Sequence, residues 1–301
     1  MNDLHKKIIK TAVVCFAIFA STLTMAQQDF QGVATYQSKT TIDLDKWGGD
    51  KMSPERKKMI MERMKSMFEK TFMLTFNRTE SIYKEDEKLA APGAGGGGFR
   101  GMMGSFTAGA QYKNVKEGQF LQDQEFFGKQ FLINDELEKL EWKMTGETKQ
   151  IGQYMCMKAV ATKKVDDMDF SNMRRRDRNK DDDKKGKDSS AVAKADEPKD
   201  MMDEIEIPEE IEVVAWYTMQ IPVNQGPGEF WGLPGLILEV SSGRTTVLCS
   251  KIVLNPDEKT EIKKPSKGKV VTKQEYADIV KQKVEEMREM YGGRNRGGFR
   301  H

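Results

Sequence analysis

The sequence predicts a mainly β protein of the α+β class. The expected form is a single curved antiparallel sheet or half-barrel, with one helix in the N-terminal half and one at the C-terminus. Three observations predict it. Short runs of β-branched and aromatic residues recur between turn-prone clusters along most of the chain, the spacing of an antiparallel sheet. Two stretches, 53–70 and 272–290, instead carry apolar residues at helical spacing. Each of those stretches opens on a helix cap, Ser53 before Pro54 and the Thr272/Glu275 capping box.

Before the first strand comes a leader. Lys6, Lys7 and Lys10 precede the apolar run TAVVCFAIFASTLTM, and Thr24-Met25-Ala26 closes it. This pattern reads as a secretory signal peptide over 1–26, cleaved after Ala26. The run is too short for a membrane anchor and passes at once into Gln27-Gln28-Asp29. Cys15 follows Val14 rather than a small-residue lipobox, so the chain does not read as a lipoprotein. The expected location is the periplasm or the outer-membrane/extracellular face, with no transmembrane segment after signal cleavage. Lys6, Lys7, Lys10 and Asp3 together account for the formal +2 of the whole chain. The remainder is near neutral, which argues against nucleic acid as a partner.

The elements follow in order within one domain, 27–291. DFQGVATYQSKTTIDL (29–44) reads as a first strand pair and SPERKKMIMERMKSMFEK (53–70) as the first helix. TFMLTFNRTESIYKED (71–86) reads as two strands turning near Asn77-Arg78. Residues 91–106 form a glycine-rich flexible loop. Strands return in QYKNVKEGQFLQDQEF, KQFLIND, EKLEWKM and GQYMCMKAVAT. Residues 163–210 alternate blocks of charge and hold too little apolar surface to order themselves, so they read as a disordered insertion. Sheet resumes in IEVVAWYTMQIP (211–222), GLILEVSS (235–242) and TTVLCSKIVLNP (246–256). The C-terminal helix stops at Gly292-Gly293, and 292–301 is a flexible basic tail.

Histidine decides much of the chemistry. The chain has His5, inside the leader, and His301, its last residue. Ser-His-Asp and Cys-His catalysis are therefore excluded from the domain, as are histidine-based zinc and haem sites. No catalytic residue, no metal and no cofactor is nominated. Cys156 and Cys249 remain after cleavage and form a candidate disulfide in an oxidising compartment; two buried free thiols are the other reading. Met61, Met64 and Met67 stand at helical spacing, as thioether ligands for Cu(I) would, but they spread over too broad an arc and read as packing residues. Asp177, Asn179, Asp181 and Asp188 approach calcium-loop spacing without its glycine and terminal glutamate, so they read as a solvated charge run. GGFR occurs at 97–100 and 297–300 and reads as flexible filler.

The densest aromatic group surrounds EFWGLPGLILEV (229–240). Leu233-Pro234-Gly235-Leu236 suits a type II turn, with Gly235 at positive φ, and Gly228 and Gly232 would permit close backbone approach. Trp216, Tyr217, Phe230, Trp231 and Leu233 are the candidate binding residues; packing in the core is the favoured reading and a recognition lip the other.

At this point the chain resembles the GLPGLI family of exported proteins from Gram-negative bacteria. The structural motif Gly232, Leu233, Pro234, Gly235, Leu236 and Ile237 carries the resemblance. WKMTGETKQIGQYMCMKA (142–159), AWYTMQIPVNQGPGEFWGLPGLILEV (215–240), LTFNRTESIY (74–83) and PSKGKVVTKQEY (265–276) extend it in order over most of 29–290. The resemblance implies an exported β-rich protein and supplies no activity. The function expected is a non-enzymatic binding or interaction protein for an apolar ligand or an envelope protein partner. The alternatives are a carboxylate-dependent hydrolase acting on glycans and a structural component of an outer-membrane complex.

Overall fold

The computed structural model describes residues 30–41, 52–86, 108–165, 174–175, 205–206, 208–258 and 260–292. The leader, the glycine-rich stretch 91–106, the calcium-like run and nearly all of the 292–301 tail lie outside the described residues, as does most of 163–210. The protein is mostly β. Strands β1 (Gln31–Thr40), β2 (Glu69–Asn77), β3 (Glu80–Glu85), β4 (Ala108–Asn114), β5 (Gln119–Phe126) and β6 (Lys129–Glu136) make its first half. Strands β7 (Lys143–Ile151), β8 (Tyr154–Lys164), β11 (Glu210–Thr218), β12 (Leu236–Ser242), β13 (Thr245–Leu254) and β14 (Lys269–Val271) make its second. The helices are α1 (Pro54–Phe68) and α2 (Lys273–Gly292). A separate two-stranded ladder pairs β9 (Arg174–Arg175) with β10 (Ile205–Glu206).

The twelve strands form one sheet in the order β14-β6-β5-β4-β3-β2-β1-β13-β12-β11-β8-β7, and it is not closed. It is mixed, because β14 runs parallel to β6 while the other pairs are antiparallel. The parallel edge follows from the chain's long return after β13, since a parallel neighbour needs a crossover rather than a hairpin.

Local chemistry explains the elements. Ser53 caps α1 by accepting from the Arg56 N–H at 3.3 Å, with Pro54 in the first turn. The helix then runs directly into β2. The Asn77 side chain builds the β2–β3 turn by accepting from the Thr79 and Glu80 N–H groups at 2.8 and 2.6 Å. At the start of α2 the capping box is complete: Glu275 N–H donates to Thr272 Oγ1 at 3.1 Å, and Thr272 N–H to Glu275 Oε2 at 2.8 Å.

Two expectations differ in detail. The first segment is one long strand rather than a pair, because β1 bonds to β13 on one side and β2 on the other. The segment EKLEWKM is irregular up to Trp142, and the strand β7 begins at Lys143. Gly146, at φ +79 inside a register shift between Met144 and Thr148, breaks the alternation that would mark that strand in the sequence.

The core has two main parts. Ala34, Tyr36, Leu74, Phe76, Tyr83, Cys156, Leu236, Leu238 and Cys249 pack with Ile221 and Val223. Ala159, Val213, Ala215, Tyr217, Ile237 and Val240 pack with Leu233. Strand β12 contributes to both, so it is buried on both faces, and its unbroken apolar run reflects that. A third cluster seats α2 on β5 and β6 through Phe126, Phe131, Tyr276 and Val280.

Candidate functional site

The chain between β11 and β12, residues 219–235, carries the site. Its side chains are drawn into both core parts: Ile221 and Val223 into one, Leu233 into the other, all essentially without solvent exposure. Its backbone folds on itself, with Leu236 N–H donating to Ile221 O at 2.9 Å and Ile237 N–H to Gln225 O at 3.0 Å. Tyr36, buried on β1, fixes the exit by donating to Ile237 O at 2.7 Å.

The glycines exchange the roles expected of them. Gly235 is not at positive φ, so the type II turn reading is corrected. A Cβ at Gly235 would lie 2.6 Å from the Thr218 carbonyl carbon and 3.0 Å from Met219 N. The residue is glycine because the end of β11 presses against it. The positive φ belongs to Gly228 (+56) and Gly232 (+92). A Cβ at Gly232 would meet nothing nearer than 3.9 Å, so conformation rather than crowding selects glycine there.

A buried lysine anchors the loop. Lys113, on β4, is 1% exposed and donates to Gly226 O at 2.7 Å and Phe230 O at 2.9 Å. Burial pulls its ammonium pKa down to about 7, against the opposing pull of Glu229. Beside it, Ser81 Oγ on β3 donates to Gln225 Oε1 at 2.8 Å, within a fully buried environment. Glu229 forms the charged knot of the loop. Its carboxylate bonds Lys163 at the end of β8 and lies 3.6 Å from Lys273 at the start of α2. Burial works to raise the Glu229 pKa, but the two ammonium groups together hold it below the ordinary carboxylate value.

The candidate aromatics do not form one surface. Tyr217 and Leu233 are core residues, and Phe230 packs half-buried beside them. Trp216 lies with the other core cluster, half-buried, with Lys149 Nζ 4.3 Å and Lys158 Nζ 6.0 Å from its ring centre. Those lysines are themselves paired, Lys149 with Glu239 at 2.7 Å and Lys158 with Glu147 at 2.8 Å. Trp231 is half-buried and donates its indole N–H to Glu138 O at 2.6 Å, while Trp142 donates to Trp231 O at 2.9 Å. Two tryptophans thus clasp the loop to the chain that precedes β7. Lys113, Ser81 and Trp142 escape sequence reasoning. A lysine in a strand reads as a solvated one, and only its bonds to Gly226 O and Phe230 O show that it faces the loop.

A groove of about 410 Å³ opens beside that clasp. Its lining runs along 138–141 on one side and 160–164 on the other, with Lys143 and Glu212 completing it. The register explains it. The last β7–β8 pair is Lys143 with Val160, whereas β8 continues beside β11 to the pair Lys164–Glu210. Ala161–Lys164 therefore have a strand neighbour in β11 on one side and the groove on the other.

Cys156 and Cys249 are both buried, free thiols in the same core cluster. Burial raises their pKa values to about 11 and about 12. Among the described residues no group of three or more His, Cys, Asp or Glu side chains is placed to hold a metal. Met61 is exposed on α1, and the side chains of Met64 and Met67 lie outside the described set. Among the described residues no helix is long and apolar enough to cross a membrane.

The fold and site define a β-rich protein organised around an internally anchored loop. Residues 142–239 match a family model described as a protein of unknown function, Porph_ging. No curated protein matches the chain. Two solved structures of PNGF-II, in C2 and P21 space groups, are similar at 15% and 16% identity, with TM-scores of 0.42 and 0.41. They cover 83% and 82% of this chain, which spans about a third of their length, 32% in each case.

Proposed function

We propose that the chain is an exported GLPGLI-type envelope protein that acts without catalysis, by holding an extended segment of another envelope protein. The groove beside Ala161–Lys164 is the observation that carries this reading. A segment laid there would continue the line of β7 and bond to the side of β8 opposite β11, the strand-addition mode of peptide recognition. Lys139, Lys143 and Lys164, with Glu138, Glu141 and Glu212, would select its charge pattern. The loop's filled interior favours this partner over an apolar ligand, because Tyr36, Tyr217, Ile221, Leu233, Leu236 and Ile237 occupy the space such a ligand would need. The basic leader, its apolar run and Thr24-Met25-Ala26 support export.

The test places a photo-crosslinking residue at Thr162, exposed in the groove, and another at Met59 on α1 as control. Crosslinks in intact envelopes are mapped by mass spectrometry, and the captured peptide is synthesised. Strand addition predicts one contiguous partner segment at Thr162, and slowed amide exchange at 161–164 when the peptide binds. Crosslinks shared with Met59, or unchanged exchange at 161–164, refute it.

A further inference from the structure

We propose that the clasp of Trp142 and Trp231 regulates the groove: it holds the chain's own residues 139–142 off β8, and so leaves the main chain of Thr162 and Lys164 open to a partner strand. The partner's part in this rests on the strand-addition reading, and the clasp's part does not. The main chain of β8 fixes which groups are open. In an antiparallel ladder the N–H and C=O of successive residues point alternately to the two neighbouring strands. Val165 N–H donates to Glu209 O at 2.9 Å, on the β11 side. The β8–β11 register then runs from Lys164–Glu210 to Met157–Tyr217 without a shift, so Ala161 and Lys163 also turn toward β11. Thr162 and Lys164 turn the other way, toward the groove. The last pair of β7 with β8 is Lys143 with Val160, and among the described residues no strand takes its place beyond that pair.

The segment suited to that place is the one leading into β7, which already lines the groove. Continued in the register of Lys143–Val160, it would set Glu141 opposite Thr162 and Lys139 opposite Lys164, each pair exchanging main-chain bonds. The chain instead turns away. Trp142 N–H donates to Leu140 O at 3.1 Å, a three-residue turn centred on Glu141. Glu141 is not at positive φ, so the turn is of the inverse kind. The Trp142 indole N–H donates to Trp231 O at 2.9 Å, and the Trp231 indole N–H to Glu138 O at 2.6 Å, which ties both ends of the diverted segment to the loop. Glu229, two residues before Trp231, bonds Lys163 on the β8 wall. Residues 229–231 thus hold both walls of the groove, which gives EFW a role in placing them. Closure would also bring Lys139 against Lys164, and like charges directly opposed are destabilising.

The test measures amide exchange in the full ¹⁵N-labelled exported chain, with no partner present. Trp142→Phe with Trp231→Phe removes both indole bonds and keeps both rings. The freed segment should close on β8, beginning at Glu141, and slow exchange of the Thr162 amide by about five-fold or more, the equivalent of one net hydrogen bond. The synthetic peptide captured at Thr162 should bind more weakly by about the same factor, because the open state is then a minor one. Trp231→Phe alone should act in the same direction. Glu141→Pro, added to the double variant, fits the inverse turn but lacks the N–H that closure needs, so it should restore both readouts. A loss of two bonds with no diversion behind them would speed exchange across 160–164 instead. Two results overturn the proposal: Thr162 exchange that is unchanged or faster in both tryptophan variants, or a slowing that Glu141→Pro does not reverse. Failure to capture any peptide at Thr162 refutes strand addition, and the exchange measurement still decides the role of the clasp.

Discussion

Replacing Gly235 by alanine tests the logic of the loop most directly. The added methyl would stand 2.6 Å from the Thr218 carbonyl carbon and closer still to its oxygen, where ordinary contact begins at 3.4 Å. Neither partner can yield cheaply. Thr218 closes β11 in register with Leu236, and Leu236 is bonded back to Ile221 O at 2.9 Å. Relief therefore requires β11 and β12 to separate at their junction with the loop, and both core clusters meet there. Overpacking of this kind costs roughly 3 kcal/mol or more. Gly232→Ala supplies the contrast. It meets open space and pays only for its positive φ, about 1–2 kcal/mol. Urea unfolding of both variants, followed by tryptophan fluorescence, gives the two midpoints at constant slope. A Gly235→Ala loss equal to or smaller than that of Gly232→Ala would refute the close-approach account.

The remaining predictions concern the anchor, the thiols and the clasp. The Lys113 pKa falls from 10.5 to about 7 on folding, so its contribution to stability is full above 10.5 and lost as pH falls through about 7. Between pH 7 and pH 8.5, before the thiols titrate in the unfolded chain, stability should rise by up to about 1.4 kcal/mol per pH unit. Lys113→Met should remove that rise, and a parent protein with flat stability over this window would contradict it. With their pKa values raised to about 11 and 12, Cys156 and Cys249 should resist iodoacetamide at pH 8 in the native state and react once urea unfolds the chain. Rapid native labelling would show that the burial is wrong. Trp231→Ala should cost about 2–3 kcal/mol, short of the 3–5 typical of a fully buried tryptophan, because the ring is half-exposed. Trp231→Phe, which loses chiefly the bond to Glu138 O, should cost about 1 kcal/mol by the same unfolding assay.

Alternation and caps made the fold class legible. Ser53 and the Thr272/Glu275 pair marked both helices, and strands β11, β12 and β13 announced themselves by their β-branched and apolar runs. What stayed hidden has physical reasons. β7 is exposed along most of its length and interrupted by Gly146, so it lacks the apolar face that identifies a strand. β14 is three residues long and gains its place from β6, a tertiary partner that composition cannot name. The site was half legible. EFWGLPGLI stands out by composition, yet which glycine serves conformation and which serves contact depends on where β11 ends. Lys113 carried no signal at all, because its environment is supplied by residues more than a hundred positions away.

The proposed groove has its cause in the sheet's construction. Strand β7 is the edge, and it covers β8 only from Tyr154 to Val160. Beyond that cover β8 meets the groove. The half of the sheet from β1 to β5 supplies Lys113, Ser81 and Tyr36 to hold the loop. The family match divides the molecule in the same way, beginning at Trp142 of the clasp and ending at Glu239 in β12. It spans the edge strand, the 160–164 side of the groove and the loop, and leaves out 138–141 and the three anchors. A variant that loosens an anchor should therefore weaken the groove, through the ends of β11. A change in the groove should leave the anchors' contribution to stability intact. Measuring amide exchange at 161–164 with and without the captured peptide in Lys113→Met separates these cases: loss of the peptide's protection is the expected result, and its retention would show that the loop does not position β8 and β11.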